Sequence, residues 1–395
     1  MTAPEDLLRE QTQDFIALVR EIYGNGFVPL HRPVFSDAEK NRVVEVIDSN
    51  FVSSAGREIE AFENEMANYV GTSYAVATVN GTSALHIALL SAGVEAGSEV
   101  ITQAVSFVAT ANAIAYCNAD PVFIDVERDS MGMSPQALRD FLEANVTLRN
   151  GQSFNKQTGA RLSACVPMHS FGHPVHNQEI ANICSAFHLP VVEDCAESLG
   201  SYVEGQHTGK TGVFGTFSFN GNKIITTGGG GMIVTDDEEL AHRAKHLTTT
   251  AKQPHAYEYF HDELGYNYRM PNLNAALGLA QLDKLDFFLK EKRKVADRYR
   301  DFFADRDADL IWERDKTTAN FWFNCLIFEG LEARDAFLAE TNEANVMTRP
   351  LWQPLNRLPM YQHCQTDLLV NTNWLAERLV NIPSSVPHLI GGGHD

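Results

Sequence analysis

One lysine stands apart from the other cationic residues of this chain. Lys223 lies between a short aromatic strand pattern, Thr216 to Phe219, and a second strand that begins at Met232, behind an Asn220-Gly221 turn and ahead of four glycines, Gly228 to Gly231. A lysine amine does covalent chemistry when burial or a neighbouring cation lowers its pKa enough for it to attack a carbonyl carbon. Imine formation with the aldehyde of pyridoxal phosphate is the use that fits such a residue. The competing reading is a solvated loop lysine between two hairpin strands. The rest of the chain must choose between them.

Three companions would support the reactive reading. Asn80-Gly81-Thr82-Ser83 separates an apolar strand pattern (Tyr74 to Asn80) from an apolar helix pattern (Ser83 to Ala92). Glycine allows the tight turn, and the amides and hydroxyls of Thr82 and Ser83 would open a helix N-terminus, where free N–H groups and the helix dipole favour a phosphate. An ordinary helix cap has the same appearance. Phe107 lies in the stretch Gln103 to Thr110 that runs into a helix through Tyr116, and a flat aromatic there can stack on a ring or fill a core. Asp194 ends the short apolar strand Pro190 to Glu193. A buried carboxylate at a strand end can pair with a protonated pyridine nitrogen, which keeps the ring an electron sink.

These residues need a scaffold, and the pattern supplies one. Further strand patterns at Glu99 to Thr102, Pro121 to Asp125 and Ala164 to Met168 alternate with helix patterns at Phe107 to Tyr116 and Ser134 to Glu143. That alternation predicts a mostly parallel sheet with helices on its faces. A long helical stretch, Leu273 to Arg306, leads to a smaller α/β region with strands near Thr318 to Phe328 and Asn345 to Thr348. Gly205 to Thr211 is one residue short of a phosphate-binding P-loop and precedes a strand, so it reads as a hairpin turn. His169 and His173 lie on a turn ending at Pro174, with no helical geometry and no third ligand in view, so no metal is expected.

Ser218-Phe219-x-x-x-Lys223 followed by Thr-x-Gly-Gly-Gly-Gly-Met232 resembles the lysine loop of the DegT/DnrJ/EryC1/StrS aminotransferases, and the resemblance runs from about Pro29 to Pro383. It implies the fold-type-I architecture of aspartate aminotransferase, with an N-terminal helical extension (1–28), a large cofactor domain (29–250) and a dimer-reaching loop, linking helix and small domain (251–395). It implies catalysis by Lys223, with pyridoxal phosphate as cofactor and pyridoxamine phosphate as its aminated form. Cofactor contacts would come from Gly81, Thr82, Ser83, Phe107, Asp194, Glu197 and Ser218, and from Asn267 of the neighbouring subunit of a homodimer. His31, His169 and Arg349 are the implied substrate contacts.

The implied reaction moves an amino group from L-glutamate to the C4 keto group of a UDP- or GDP-linked 4-keto-6-deoxy hexose carrying a 2-acetamido group. The Ser-Phe-Asn-Gly-Asn-Lys form looks most like the branch serving legionaminic acid synthesis. Glu197 departs from the family, which often has glutamine facing the phenolic oxygen of the cofactor. Two anions there would repel, so Glu197 is either protonated or turned away. The alternatives are a pyridoxamine-dependent sugar dehydratase, whose relatives carry histidine in place of the lysine, and a non-catalytic regulator or scaffold on the same fold.

Composition narrows the partners. The 51 acidic and 31 basic residues leave a net charge of −20, which repels nucleic acid and anionic membranes. No apolar run is long enough to span a bilayer, and the first twenty residues lack the basic start and apolar core of a signal peptide. The six scattered cysteines include no Cys-x-x-Cys pair. They fit reduced, buried thiols in a cytoplasmic enzyme. The stretch from Ile382 to Asp395 is glycine-rich and shows no pattern for a closing helix.

Overall fold

A computed structural model describes residues 4–387; the glycine-rich end from 388 onward lies outside the described residues. Seven strands form the central sheet, in the spatial order Asp120–Ile124, Glu99–Gln103, Arg161–Val166, Val192–Asp194, Phe214–Ser218, Gly231–Thr235 and Tyr74–Thr78. Parallel bridges Cys165–Val191 and Met168–Asp194 join its two halves. Of these seven, only Gly231–Thr235 runs antiparallel, because the loop carrying Lys223 reverses the chain; Gln152–Asn155 and Val146–Arg149 add an antiparallel flap beside Arg161–Val166. The two strands Glu99–Gln103 and Arg161–Val166 are buried almost throughout, as parallel strands covered on both faces must be. One face is packed by Gly81–Ser91 and Val108–Tyr116, the other by Pro135–Asn145 and Asn177–Ala186.

Two of the four glycines after Lys223, Gly230 and Gly231, are points of close packing. A Cβ on Gly231 would stand 2.5 Å from the carbonyl of Asn80, and one on Gly230 would stand 2.2 Å from Thr227 Oγ1. Gly228 has φ +78°, which a side chain disfavours. The run draws the returning strand tightly against the start of the helix Gly81–Ser91.

A second, antiparallel sheet holds Asp309–Leu310, Asn324–Ile327, Leu379–Ile382 and Arg349–Pro350. It is covered by Leu285–Phe303 and Leu331–Glu343, and by the N-terminal helix Pro4–Tyr23. Phe15 lies 5.2 to 6.2 Å from the rings of Tyr299, Phe302, Phe303 and Phe337. The N-terminal helix and the second sheet therefore share one core.

The structure departs from the sequence pattern in two places. The stretch expected to be one long helix is two, Asn272–Leu282 and Leu285–Phe303. The break falls where Lys284 leaves helical geometry (φ −106°, ψ −1°) and its ammonium reaches the buried carboxylate of Glu39 at 2.6 Å. A strand expected over Asn345 to Thr348 begins later, at Arg349–Pro350; Val346 makes only a bridge to Val28. The expected hairpin is present, with Tyr202–Val203 paired to Gln206–His207. Among the described residues no helix is long and apolar enough to cross a membrane.

Candidate active site

A cavity of about 680 Å³ opens between the C-terminal ends of the central strands and the second sheet. Lys223 stands in its wall. The strand Phe214–Ser218 ends, the chain turns, and the Lys223 amide donates to the Asn220 carbonyl at 3.0 Å. The ammonium donates to Glu197 Oε1 at 3.2 Å and lies 4.0 Å from the centroid of the Trp322 ring. The lysine side chain is 12% exposed and that of Glu197 is fully buried. A cation between a carboxylate and an indole face is held in one place by two attractions.

One end of the cavity is built to take an anion. Asn80 caps the helix Gly81–Ser91, its Oδ1 accepting from the Ser83 amide at 2.8 Å. The first two amides, of Gly81 and Thr82, precede any intrahelical partner and open toward the cavity that both residues line. Ser218 closes the cradle from the strand side: a Cβ on Gly81 would stand 2.7 Å from Ser218 Cβ. Gly81→Ala must push Ser218 aside. The expected result is a loss of about 1–3 kcal/mol in stability together with at least about tenfold weaker cofactor binding, read by thermal unfolding and by titration with the cofactor. Unchanged binding would remove the cradle from phosphate recognition.

Asp194 lies deeper and is 2% exposed. Thr110 Oγ1 donates to its Oδ2 at 2.7 Å and the Ala196 amide to its Oδ1 at 3.1 Å. Burial pushes its pKa up, while the Thr110 and Ala196 bonds and the charge of Lys223 draw it down. A cationic partner in the cavity would complete this carboxylate. Phe107, half exposed, lines the same cavity and meets Trp352 edge-on at 6.1 Å. Arg349 lies at the rim, its Nη1 donating to Asn342 Oδ1 at 2.8 Å and to the Thr348 carbonyl at 2.7 Å.

The structure moves several expected contacts. Ser83 does not line the cavity; it is buried, and its amide is spent on the Asn80 cap. His169 points inward, away from any substrate. Its Nε2 is 3.0 Å from Glu193 Oε2, and its Nδ1 accepts from the Val175 amide at 3.1 Å. Glu193 in turn accepts from the Gly209, Thr211 and Gly212 amides. Burial alone would raise the Glu193 pKa, but the His169 contact and these amides bring it below the usual value. His169 thus braces the strand that carries Asp194. His31 also lies outside the cavity lining, while its neighbour Leu30 lines it. Among the described residues the buried ring nitrogens of His31 meet no partner in full hydrogen-bond geometry, and burial, with the charges of Lys292 and Lys223, outweighs the nearby Asn222 backbone and holds its pKa well below the ordinary histidine value.

Glu197 is not turned away. It faces Lys223, and its Oε2 accepts from the Phe171 amide at 2.7 Å. Burial pushes its carboxyl up from 4.5 to about 7, the charge of Lys223 and the Phe171 amide opposing. Between those values the folded cofactor-free chain holds a proton that the unfolded chain has lost, so stability falls as pH rises through that window and levels above it. Relative to Glu197→Gln, the wild type is expected to lose up to about 3 kcal/mol between roughly pH 4.5 and 7, measured as denaturant midpoints at each pH. Parallel curves would place the proton elsewhere.

Trp322 and Thr110 line the cavity without having been singled out in the sequence. Thr110 stands one helical turn after Phe107, a spacing that could have shown it. Nothing local marked Trp322, which arrives from the second sheet with its Nε1 donating to the Asn222 carbonyl at 2.7 Å.

Residues 34–390 match the DegT/DnrJ/EryC1/StrS aminotransferase family. The chain belongs to that family. It is 38% identical over 334 residues to EpsN of Bacillus subtilis (strain 168), covering 84% of this chain and 83% of that one. It is 35% identical over 360 residues to the GDP-perosamine synthase of Escherichia coli O157:H7, covering 91% and 93%. Among solved structures, the aminotransferase TlmJ from Streptoalloteichus hindustanus superposes with a TM-score of 0.82 at 27% identity, covering 91% of this chain and 94% of that one. The fold is that of fold-type-I enzymes dependent on pyridoxal phosphate, and the protein is a sugar aminotransferase using that cofactor. The anion cradle, the buried acid and the lysine between them are a donor set that fits a phosphate, a pyridine nitrogen and an aldehyde.

Proposed function

We propose that the enzyme transfers the amino group of L-glutamate to the C4 keto group of a nucleotide-linked 4-keto-6-deoxy hexose. The observation that carries this reading is the placement of Lys223 Nζ within one cavity that also holds the Gly81-Thr82-Ser218 cradle and Asp194. When bound, pyridoxal phosphate supplies an electron sink for the carbon that loses or gains a proton. The chain supplies everything else. The Gly81 and Thr82 amides and the Ser218 hydroxyl hold the phosphate, Phe107 covers the ring, and Asp194 keeps the pyridine nitrogen protonated. Lys223 anchors the cofactor and, when freed, carries protons to and from the reacting carbon as general base and acid. Arg349, a cation at the rim that pairs with no carboxylate among the described residues, suits the anionic substrate.

A homodimer with shared sites belongs to the same reading. Asn267 is exposed and lies outside its own chain's cavity. Its neighbours Tyr266 and Tyr268 pack on His86, on the helix of the phosphate cradle. Asn267 thereby stands on a braced segment from which it can reach a partner's cofactor phosphate. The cofactor is held chiefly by residues 29–250, and the later part closes the site with Trp322, Arg349 and Trp352.

For the sugar, relatives named GDP-perosamine synthases, at 33% to 35% identity, favour a GDP-linked substrate. The Ser-Phe-Asn-Gly-Asn-Lys loop supports the legionaminic branch and hence a 2-acetamido group. The test supplies wild-type enzyme and L-glutamate with GDP- and UDP-linked 4-keto-6-deoxy sugars, each with and without that group. Mass spectrometry and NMR would locate a new amine at C4. Amination at another carbon, or of none of the four, would overturn the proposal.

A further inference from the structure

The pairing of Lys223 with Glu197 raises a question of charge that the family's reaction leaves open. To bond a carbonyl carbon, Lys223 must first become a neutral amine. Among the described residues its ammonium is the only cation in contact with Glu197, whose side chain is fully buried. The remaining neighbours of that carboxyl offer no positive charge. Asp194 lies on the adjacent strand and raises the Glu197 pKa, the buried Cys325 thiol of the second sheet is affected by its charge, and the Phe171 amide occupies Oε2 at 2.7 Å. The Glu197 backbone carbonyl accepts from Asn320 Nδ2 at 2.8 Å, which fixes the residue from the other side.

The carboxyl is therefore held where it is, whatever happens to the lysine. Phe171 adopts φ +58°, a left-handed conformation uncommon for a side chain of that size, and this turn aims its amide at Glu197. Deprotonating Lys223 alone would leave a buried carboxylate with no counter-charge, a costly arrangement. The nearest acceptor for the lysine proton is Glu197 Oε1, 3.2 Å away.

We propose that Glu197 takes the proton which Lys223 sheds when it bonds the cofactor aldehyde, and returns it when the lysine is freed. The balance closes without solvent. The ammonium gives one proton to the carboxylate, the neutral amine forms a carbon–nitrogen double bond, and the aldehyde oxygen leaves with the two remaining amine protons as water. Glu197 is then a neutral acid, and its O–H can donate. A neutral donor is what the glutamine common in the family would present to the phenolic oxygen. The glutamate thus does the work of that amide in one state and serves as the counter-ion of Lys223 in the other. The pKa of the carboxyl, pushed up to about 7 mainly by burial, allows both forms.

The proposal rests on covalent cofactor binding at Lys223, and its test separates the two. Cofactor-loaded minus cofactor-free infrared difference spectra would be recorded near pH 8, with visible absorption taken on the same samples to confirm loading. Wild type should gain one protonated-carboxyl stretch on loading, shifted in heavy water; Glu197→Gln should load without that gain. Lys223→Ala, which can take up cofactor only non-covalently, should also show no gain. A fully loaded wild type with no new carboxyl band, or a band that persists in Glu197→Gln or Lys223→Ala, would overturn the proposal while leaving Lys223 as the anchor. A wild type that shows no covalent cofactor absorption would overturn both.

Discussion

Lys223→Ala is expected to lower transamination by about 10⁴-fold or more, since one residue is removed that serves as both anchor and proton carrier. The fold should survive. Lys223 is on a loop, its side chain is partly exposed, and its one ion pair is with Glu197, which becomes a neutral acid when the cation is gone. Single-turnover rates with L-glutamate would measure the loss. Borohydride reduction of the wild type should leave cofactor on the peptide containing Lys223 and none on that peptide in the variant. A residual rate within tenfold of wild type would mean that another group moves the proton.

Asp194→Asn is expected to slow the half-reaction with L-glutamate by about 100-fold, the equivalent of about 3 kcal/mol for a lost charge-assisted contact. The substitution is nearly isosteric. The Ala196 amide can still donate to the side-chain oxygen, and Thr110 can turn to accept from the new amide, so packing around the site should hold. Cofactor should still load on Lys223, because the anchor and the phosphate cradle are untouched. The informative outcome is therefore a slow reaction on a loaded enzyme. A loss below tenfold would show that the acid does not control the charge of the ring.

These two residues behave differently from Glu197, although all three line one cavity. Asp194 is fixed by two hydrogen bonds, one from the turn that follows its strand and one from an adjacent helix, so a permanent charge can be maintained there once a cationic partner arrives. Glu197 has one amide and one ammonium, whose proton is lost when Lys223 bonds a carbonyl carbon. Its charge follows the lysine, and the pH dependence of stability expected for the cofactor-free protein is the equilibrium expression of the same coupling.

Much of the site was legible in the sequence because it depends on local chain geometry. An Asn-Gly turn before a lysine, glycine at a strand-to-helix turn and an aspartate ending an apolar strand are each defined within a few residues, and they recur at the spacing of the family. The alternation of strand and helix patterns likewise determined the parallel sheet, because both periods are properties of consecutive residues. The tertiary structure alone decided what faces what. His169 and Ser83 have suitable chemistry, yet one turns inward to Glu193 and the other spends its amide on Asn80. Trp322 comes from the second sheet to cover Lys223, and the N-terminal helix enters the core of the C-terminal region through Phe15. The state of Glu197 is likewise set by burial and by a lysine on another strand's loop. Such contacts join segments far apart in the chain, where neither periodicity nor spacing carries information, and they form only when the apolar faces of those segments are buried together.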